Sequence, residues 1–157
     1  MSKRLILLLA AVMALAAIAA GCGSSSDDDS TEVTVALTKT EFIKQGDEIC
    51  KQAEEDSEAE AEEFAEENDF VLEKASKEQL EEAIDQVLVP ALNGQVEEIK
   101  ALGAPEGDEE QVEAIIVALE DGADEVADDP GLAFEGKPLK KATELAEDYG
   151  FKVCGEG

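Results

Sequence analysis

The chain has 157 residues, with 40 acidic side chains against 12 basic ones and a formal net charge of −28. This balance opposes direct partnership with nucleic acid or anionic membrane surfaces, because like charge raises the energy of approach. There is no His or Trp and the single Arg is Arg4, which disfavours haem, zinc, nucleotide and phosphate-ester chemistry for want of imidazole and guanidinium groups.

Lys3 and Arg4 precede an uninterrupted apolar run, Leu5–Ala20. The run falls short of the roughly 20 residues that cross a bilayer as a helix. A basic start, an apolar stretch of this length and the small residues Ala19-Ala20-Gly21 describe an export signal over residues 1–21. Cys22 follows at once. With it the segment resembles the signal of bacterial lipoproteins, whose lipobox ends in a small residue and an acylated cysteine; Ala19 stands where that family commonly has Leu. The resemblance implies cleavage between Gly21 and Cys22, a diacylglyceryl group on the Cys22 thiol and attachment to the extracytoplasmic face of the cell membrane. An uncleaved anchor and an ordinary secretory signal are the alternatives. Two of the 12 basic residues lie in the signal, so ten lysines face all 40 acidic groups beyond it. Lipid, rather than a basic patch, would have to hold such a domain at a membrane.

Residues 22–37 read as the lipidated tether. Gly23-Ser-Ser-Ser-Asp-Asp-Asp-Ser30 has nothing to bury and reads as disordered, with a coil reach to Leu37 of roughly 20 Å. Val33, Val35 and Leu37 alternate with Thr34 and Ala36, which signals a weak strand or an extended arm lying on the domain.

The domain proper, residues 38–157, carries four helical patterns. Thr38 with Glu41 forms a capping box, and Phe42, Ile49, Cys50, Ala53, Ala61 and Phe64 fall on one face of a helix ending near Asn68. Gly46 lies on that stripe and implies close approach of another backbone. Ser76 with Gln79 opens a second helix with Leu80, Ile84, Val87, Leu88 and Ala91 on its apolar face. Pro90 should kink it, by removing a hydrogen bond and crowding the preceding turn. Beyond the kink Leu92, Val96 and Ile99 continue on a rotated face to Leu102-Gly103. Asp108 with Gln111 caps a third helix whose stripe is Val112, Ile115, Ile116, Leu119, Ala123 and Val126. Asp129-Pro130-Gly131 stops it, and Phe134 in the following loop should return to the core. Pro138 opens a fourth helix at its first position, running through Leu139, Ala142, Leu145 and Tyr149. Gly150 serves as its C′ residue, with Phe151 supplying the contact that follows such caps.

If Cys22 is lipidated, Cys50 and Cys154 remain as a pair in an oxidising compartment, where disulfides persist. A structural disulfide is the expected outcome; a redox pair, without a Cys-x-x-Cys motif, and independent free thiols are the alternatives. The expected fold is therefore all-α: an antiparallel bundle of about four helices, the second kinked at Pro90, closed by one disulfide. Leu37-Thr-Lys-Thr-Glu-Phe-Ile-Lys-Gln-Gly-Asp-Glu-Ile-Cys50, Leu88-Val-Pro-Ala-Leu92 and Tyr149-Gly-Phe-Lys-Val-Cys-Gly155 resemble segments of small helical lipoproteins of actinobacteria, across the whole mature domain. That resemblance implies a structural framework and no active-site residues.

Two constellations remain. The run Glu54–Glu67 carries no base, and pairs such as Glu54–Glu58, Glu58–Glu62 and Glu62–Glu66 repel at i,i+4 by ~0.2–0.5 kcal/mol each. It reads as a solvated face suited to solubility or salty surroundings. The sharper reading is weak, diffuse binding of Ca²⁺ or another divalent cation, with Glu58, Glu62 and Glu66 the candidate ligands, although no EF-hand spacing is present. Gly46, Pro90 and Gly94 leave space beside Gln95, which falls toward the apolar stripe, as does Glu60. Either these residues border a small-ligand pocket or both reach water at the stripe's edge. Paired carboxylates alone do not make a glycosidase, which needs a cleft and usually aromatic sugar platforms. The expectation is a membrane-anchored, non-enzymatic acidic domain that needs no cofactor and binds or scaffolds something in the cell envelope, an envelope protein or a small solute. Binding of a cation or small solute is the alternative.

Overall fold

A computed structural model describes residues 36–155. The expected signal, the cleavage site at Gly21 and Cys22, Val33 and Val35 lie outside the described residues. Within them the fold is all-α, with no strand. The helices are α1 (Lys39–Glu67), α2 (Lys77–Ala83), α3 (Val89–Leu102), α4 (Glu109–Asp128) and α5 (Lys140–Tyr149). Short 3₁₀ turns occupy Leu72–Lys74 and Pro130–Glu135. No helix among the described residues is long and apolar enough to cross a membrane.

Both N-terminal capping boxes form as the local sequence dictates. The Glu41 amide donates to Thr38 Oγ1 at 3.3 Å while the Glu41 carboxylate accepts from the Thr38 amide at 3.0 Å. The Gln79 amide donates to Ser76 Oγ at 3.3 Å, and Gln79 Oε1 accepts from the Ser76 amide at 2.9 Å. Each arrangement satisfies two donors that a helix start otherwise leaves open.

α2 and α3 form the expected second helix, and the proline is accommodated by one π-helical turn, Ile84–Leu88. A regular helix would send a hydrogen bond from residue 90 to the Gln86 carbonyl, which proline cannot make and its ring would crowd. The Val89 amide instead donates to the Ile84 carbonyl, five residues back, and the widened turn absorbs the irregularity. Gln95, late in this helix, meets Cys50 early in α1, while Ile84 shares a groove with Ala61 further along α1. The two helices therefore run antiparallel. So do α4 and α5: Tyr149 at the end of α5 bonds Asp108 at the start of α4, and Pro138 before α5 meets Gly122 late in α4. α3 packs against α4 and joins the two pairs.

The core draws on α1, α3, α4, α5 and the tail. Phe42, Cys50, Val96, Ile99, Val112, Ile115, Ile116, Ala146, Tyr149 and Phe151 form one buried cluster, and Leu37 packs partly against it. Phe42 meets the rings of Tyr149 and Phe151 edge-on, with centroids 6.0 and 5.8 Å apart. Such pairs add ~0.5–1.5 kcal/mol beyond area burial.

Four local expectations are corrected by tertiary contacts. Asp108 precedes α4 but caps nothing with its side chain, because its backbone is not extended (φ −108°, ψ 7°). Its carboxylate instead accepts from Tyr149 Oη at 2.8 Å and lies 3.7 Å from Lys39 Nζ, which also sits 3.8 Å from the centre of the Tyr149 ring. Phe134 does not return to the core. It sits on the Pro130–Glu135 turn, 52% exposed, beside Leu80, Ile84 and Leu88, because that turn lies over α2. Pro138 is not the first helical residue; it is buried in a turn whose carbonyl presses on Gly122, and α5 begins only at Lys140. Gly46 admits the Phe151 ring rather than a backbone, since a Cβ there would lie 2.4 Å from Phe151 Cε1.

Burial first, then the hydrogen bond to Asp108 and its charge, raise the Tyr149 phenol above its ordinary value of 10.0. The raised group binds its proton more tightly in the folded state. Its contribution is therefore complete below about pH 10 and is lost progressively as pH rises above it. Tyr149→Phe should cost about 1–2 kcal/mol at neutral pH, the worth of a hydrogen bond to a charged group that water can partly replace. Unfolding midpoints measured across the alkaline range should fall less steeply for Tyr149→Phe than for the parent. Parallel curves would show that the phenol does not couple to folding.

Candidate functional site

Cys50 on α1 and Cys154, four residues past the C-cap Gly150, are joined as a disulfide, with Cα atoms 5.4 Å apart. The tail they secure has a second fastening that the sequence did not announce. The Asp47 carboxylate accepts from three successive backbone amides: Lys152 (3.0 Å), Val153 (2.8 Å) and Cys154 (3.2 Å). Asp47 stands one turn before Cys50 and beside Gly46 on the buried stripe, which is the signal that could have drawn attention to it.

This tail forms one side of a cleft of about 600 Å³, within the roughly 300–1,000 Å³ typical of small-molecule sites. α1 supplies Phe42, Cys50 and Glu54; α3 supplies Leu92, Gln95 and Ile99; α4 supplies Val112, Ile115 and Leu119. α5 supplies Ala142, Thr143 and Ala146. The space follows from residue size and helix length. α5 has 10 residues against the 20 of α4 and presents alanines to it, so neither its reach nor its side chains fill the interval.

The polar groups at the cleft are few. Gln95 Nε2 donates to Cys50 Sγ at 2.9 Å, which orients the amide and leaves Oε1 as an acceptor. Thr143 Oγ1 donates to the Leu139 carbonyl at 3.1 Å, keeping its own lone pairs available. Lys140 is engaged by Glu144 one turn on, while Glu54 makes no ion pair among the described residues. A wall that is mostly apolar, with an oriented amide and one unpaired carboxylate, suits holding a small molecule by shape and a few polar contacts.

The other sequence candidates fall elsewhere. Pro90, Gly94 and Gln95 border a second, smaller cleft of about 260 Å³ between α1 and α3, with Asp56, Glu60 and Glu98 on its walls. Gly46 takes no part in it. Gln95 is half-buried and shared between the two clefts, whereas Glu60 is exposed. Glu58, Glu62 and Glu66 are exposed on α1, and no group of three metal-ligating side chains is assembled among the described residues. The main cleft was not foreseen, because it exists only where α4, α5 and the tail come together around Gln95.

No family model matches the chain, and neither a curated protein nor a solved structure matches it.

Proposed function

We propose that this protein is an envelope lipoprotein, anchored through Cys22, whose helical domain binds a small, largely apolar molecule without transforming it. The observation that carries the binding reading is the apolar cleft beside the disulfide, with Gln95 held in one orientation inside it. The basic start, the apolar run and Ala19-Ala20-Gly21-Cys22 support the anchor. Two acyl chains on one cysteine suffice for stable attachment, whereas at ~0.8 kcal/mol per buried methylene a single chain is marginal. A non-enzymatic role is supported by the polar inventory of the cleft. Lys140 is engaged by Glu144, and the Thr143 hydroxyl donates to a carbonyl rather than to a base.

Two measurements test these statements separately. Cys22→Ser should move the protein from the membrane fraction to the soluble one, or leave an uncleaved precursor; normal processing with unchanged attachment would refute the anchor. Native mass spectrometry of protein extracted from its host should show a bound small molecule. That adduct should disappear in Ala133→Trp or Thr143→Phe, which fill the cleft from two sides. An adduct that survives both substitutions would refute the site.

A second reading has an observation of its own. Phe134, with Leu80, Ile84 and Leu88, leaves an apolar groove over α2, and Val71 nearby in sequence is 56% exposed. Such a patch suits an envelope protein partner. Crosslinking in cells at Phe134 should then capture a protein that Phe134→Ser loses.

A further inference from the structure

We infer that the main cleft selects organic monocations: molecules with an apolar body and a single ammonium head. The inference rests on the binding reading above and adds the charge of the ligand to it. The body would bury against Leu119, Leu139 and Val153, the half-buried apolar side chains of the wall. The charged side chains on the wall are Glu54, Lys140 and Glu144. Lys140 is taken up by Glu144, so one carboxylate, Glu54, is in excess. Glu54 lies one turn beyond Cys50 on α1, at the margin of the space that Cys50 and Gln95 border.

That arrangement discriminates by charge. A carboxylate ligand would meet an uncompensated like charge. A neutral ligand would gain apolar burial and the Gln95 acceptor but no ionic attraction. A dication would surrender the hydration of two charges for one excess carboxylate. A monocation gains both burial and attraction, and its N–H or polarised C–H groups are donors suited to Gln95 Oε1 and Thr143 Oγ1, which accept. The total charge of −28 supplies a background that favours any cation. Beyond about 8 Å at physiological salt this background is screened, so the local carboxylate sets the preference.

Three probes with one apolar body and different heads separate these effects: adamantan-1-ammonium, 1-adamantanol and adamantane-1-carboxylate. Their affinities for the purified full chain would be measured by calorimetry at low and at high NaCl. The ammonium should bind about fivefold more tightly than the alcohol, the carboxylate weakest, and the gap should narrow with salt. Glu54→Gln should bring the ammonium to the affinity of the alcohol and leave the alcohol unchanged. Glu66→Gln makes the same change in net charge far along α1 and should leave the preference intact. Equal binding of ammonium and alcohol, both lost in Ala133→Trp or Thr143→Phe, would overturn the charge preference while the binding site stands. A preference erased as much by Glu66→Gln as by Glu54→Gln would overturn it in favour of diffuse attraction. Binding of all three probes unaffected by either cleft-filling substitution would overturn the site itself.

Discussion

Replacement of both Cys50 and Cys154 by serine should lower the unfolding free energy by about 3–5 kcal/mol, read by helical circular dichroism in a denaturant titration. The bond closes 104 residues of sequence, and a loop of that length confines the unfolded chain by up to ~4.7 kcal/mol on the loop-entropy model. It also ties the first helix to a tail that has no helical hydrogen bonds of its own. The domain should nevertheless remain folded, because the Asp47 carboxylate still receives the Lys152, Val153 and Cys154 amides and keeps Phe151 against Phe42. Asp47→Ala in the serine background should therefore remove a further ~1.5–3 kcal/mol, the worth of charge-assisted hydrogen bonds. A loss below about 1 kcal/mol for the cysteine pair would mean the reduced unfolded chain is already confined.

Gly122→Ala and Gly94→Ala should change stability in opposite directions, although both glycines lie in helix interiors. Alanine at Gly94 meets nothing within 4 Å and removes the backbone freedom of glycine, so it should stabilise by roughly 0.5–1 kcal/mol. Alanine at Gly122 would place its Cβ 2.6 Å from the Pro138 carbonyl oxygen and 2.8 Å from Leu139 Cδ2. The first neighbour is backbone and cannot rotate away, so α5 must shift or α4 must bend. Overpacking of this kind costs about 1–3 kcal/mol and occasionally more, which outweighs the gain in helix propensity. The same titration reads both variants. A stabilised Gly122→Ala would refute the close approach of Pro138 to α4. Because α5 borders the main cleft, a destabilised Gly122→Ala should also weaken ligand binding there.

The parts of this structure legible in advance share a physical character: each is settled within about one helical turn. Thr38 and Glu41, or Ser76 and Gln79, are three residues apart, and each box closes between those two residues alone. The stripe from Val112 to Val126 buries as its period requires, except for Leu119, which is half-buried at the main cleft. Pro90 disturbs its helix because the lost hydrogen bond is local, although the π turn that absorbs it was not foreseen. Two of the misread residues show how tertiary partners override the local pattern. Asp108 has the pattern of a cap, yet Tyr149, 41 residues away, is the partner it takes. Phe134 has the chemistry of a core residue, but the chain holds it above α2, outside the cluster around Phe42.

The candidate site divides along the same line. Gln95 was recognisable as a polar residue turned toward an apolar stripe, because residue type and helical phase suffice for that, and Cys50 and Cys154 as a pair once Cys22 is set aside for the lipid. That Gln95 donates to Cys50 across 45 residues, that Asp47 gathers three amides more than 100 residues on, and that a short α5 leaves a cleft unfilled are matters of packing.

The sequence by itself determined the helical class, the two capping boxes and the acidity of the chain, and it singled out Cys50 and Cys154 as the expected pair. Only the tertiary structure decided where the space lies and which carboxylates border it. Helix formation and charge are sums over neighbours in the chain, whereas a cleft is the difference between the volume helices enclose and the volume their side chains fill.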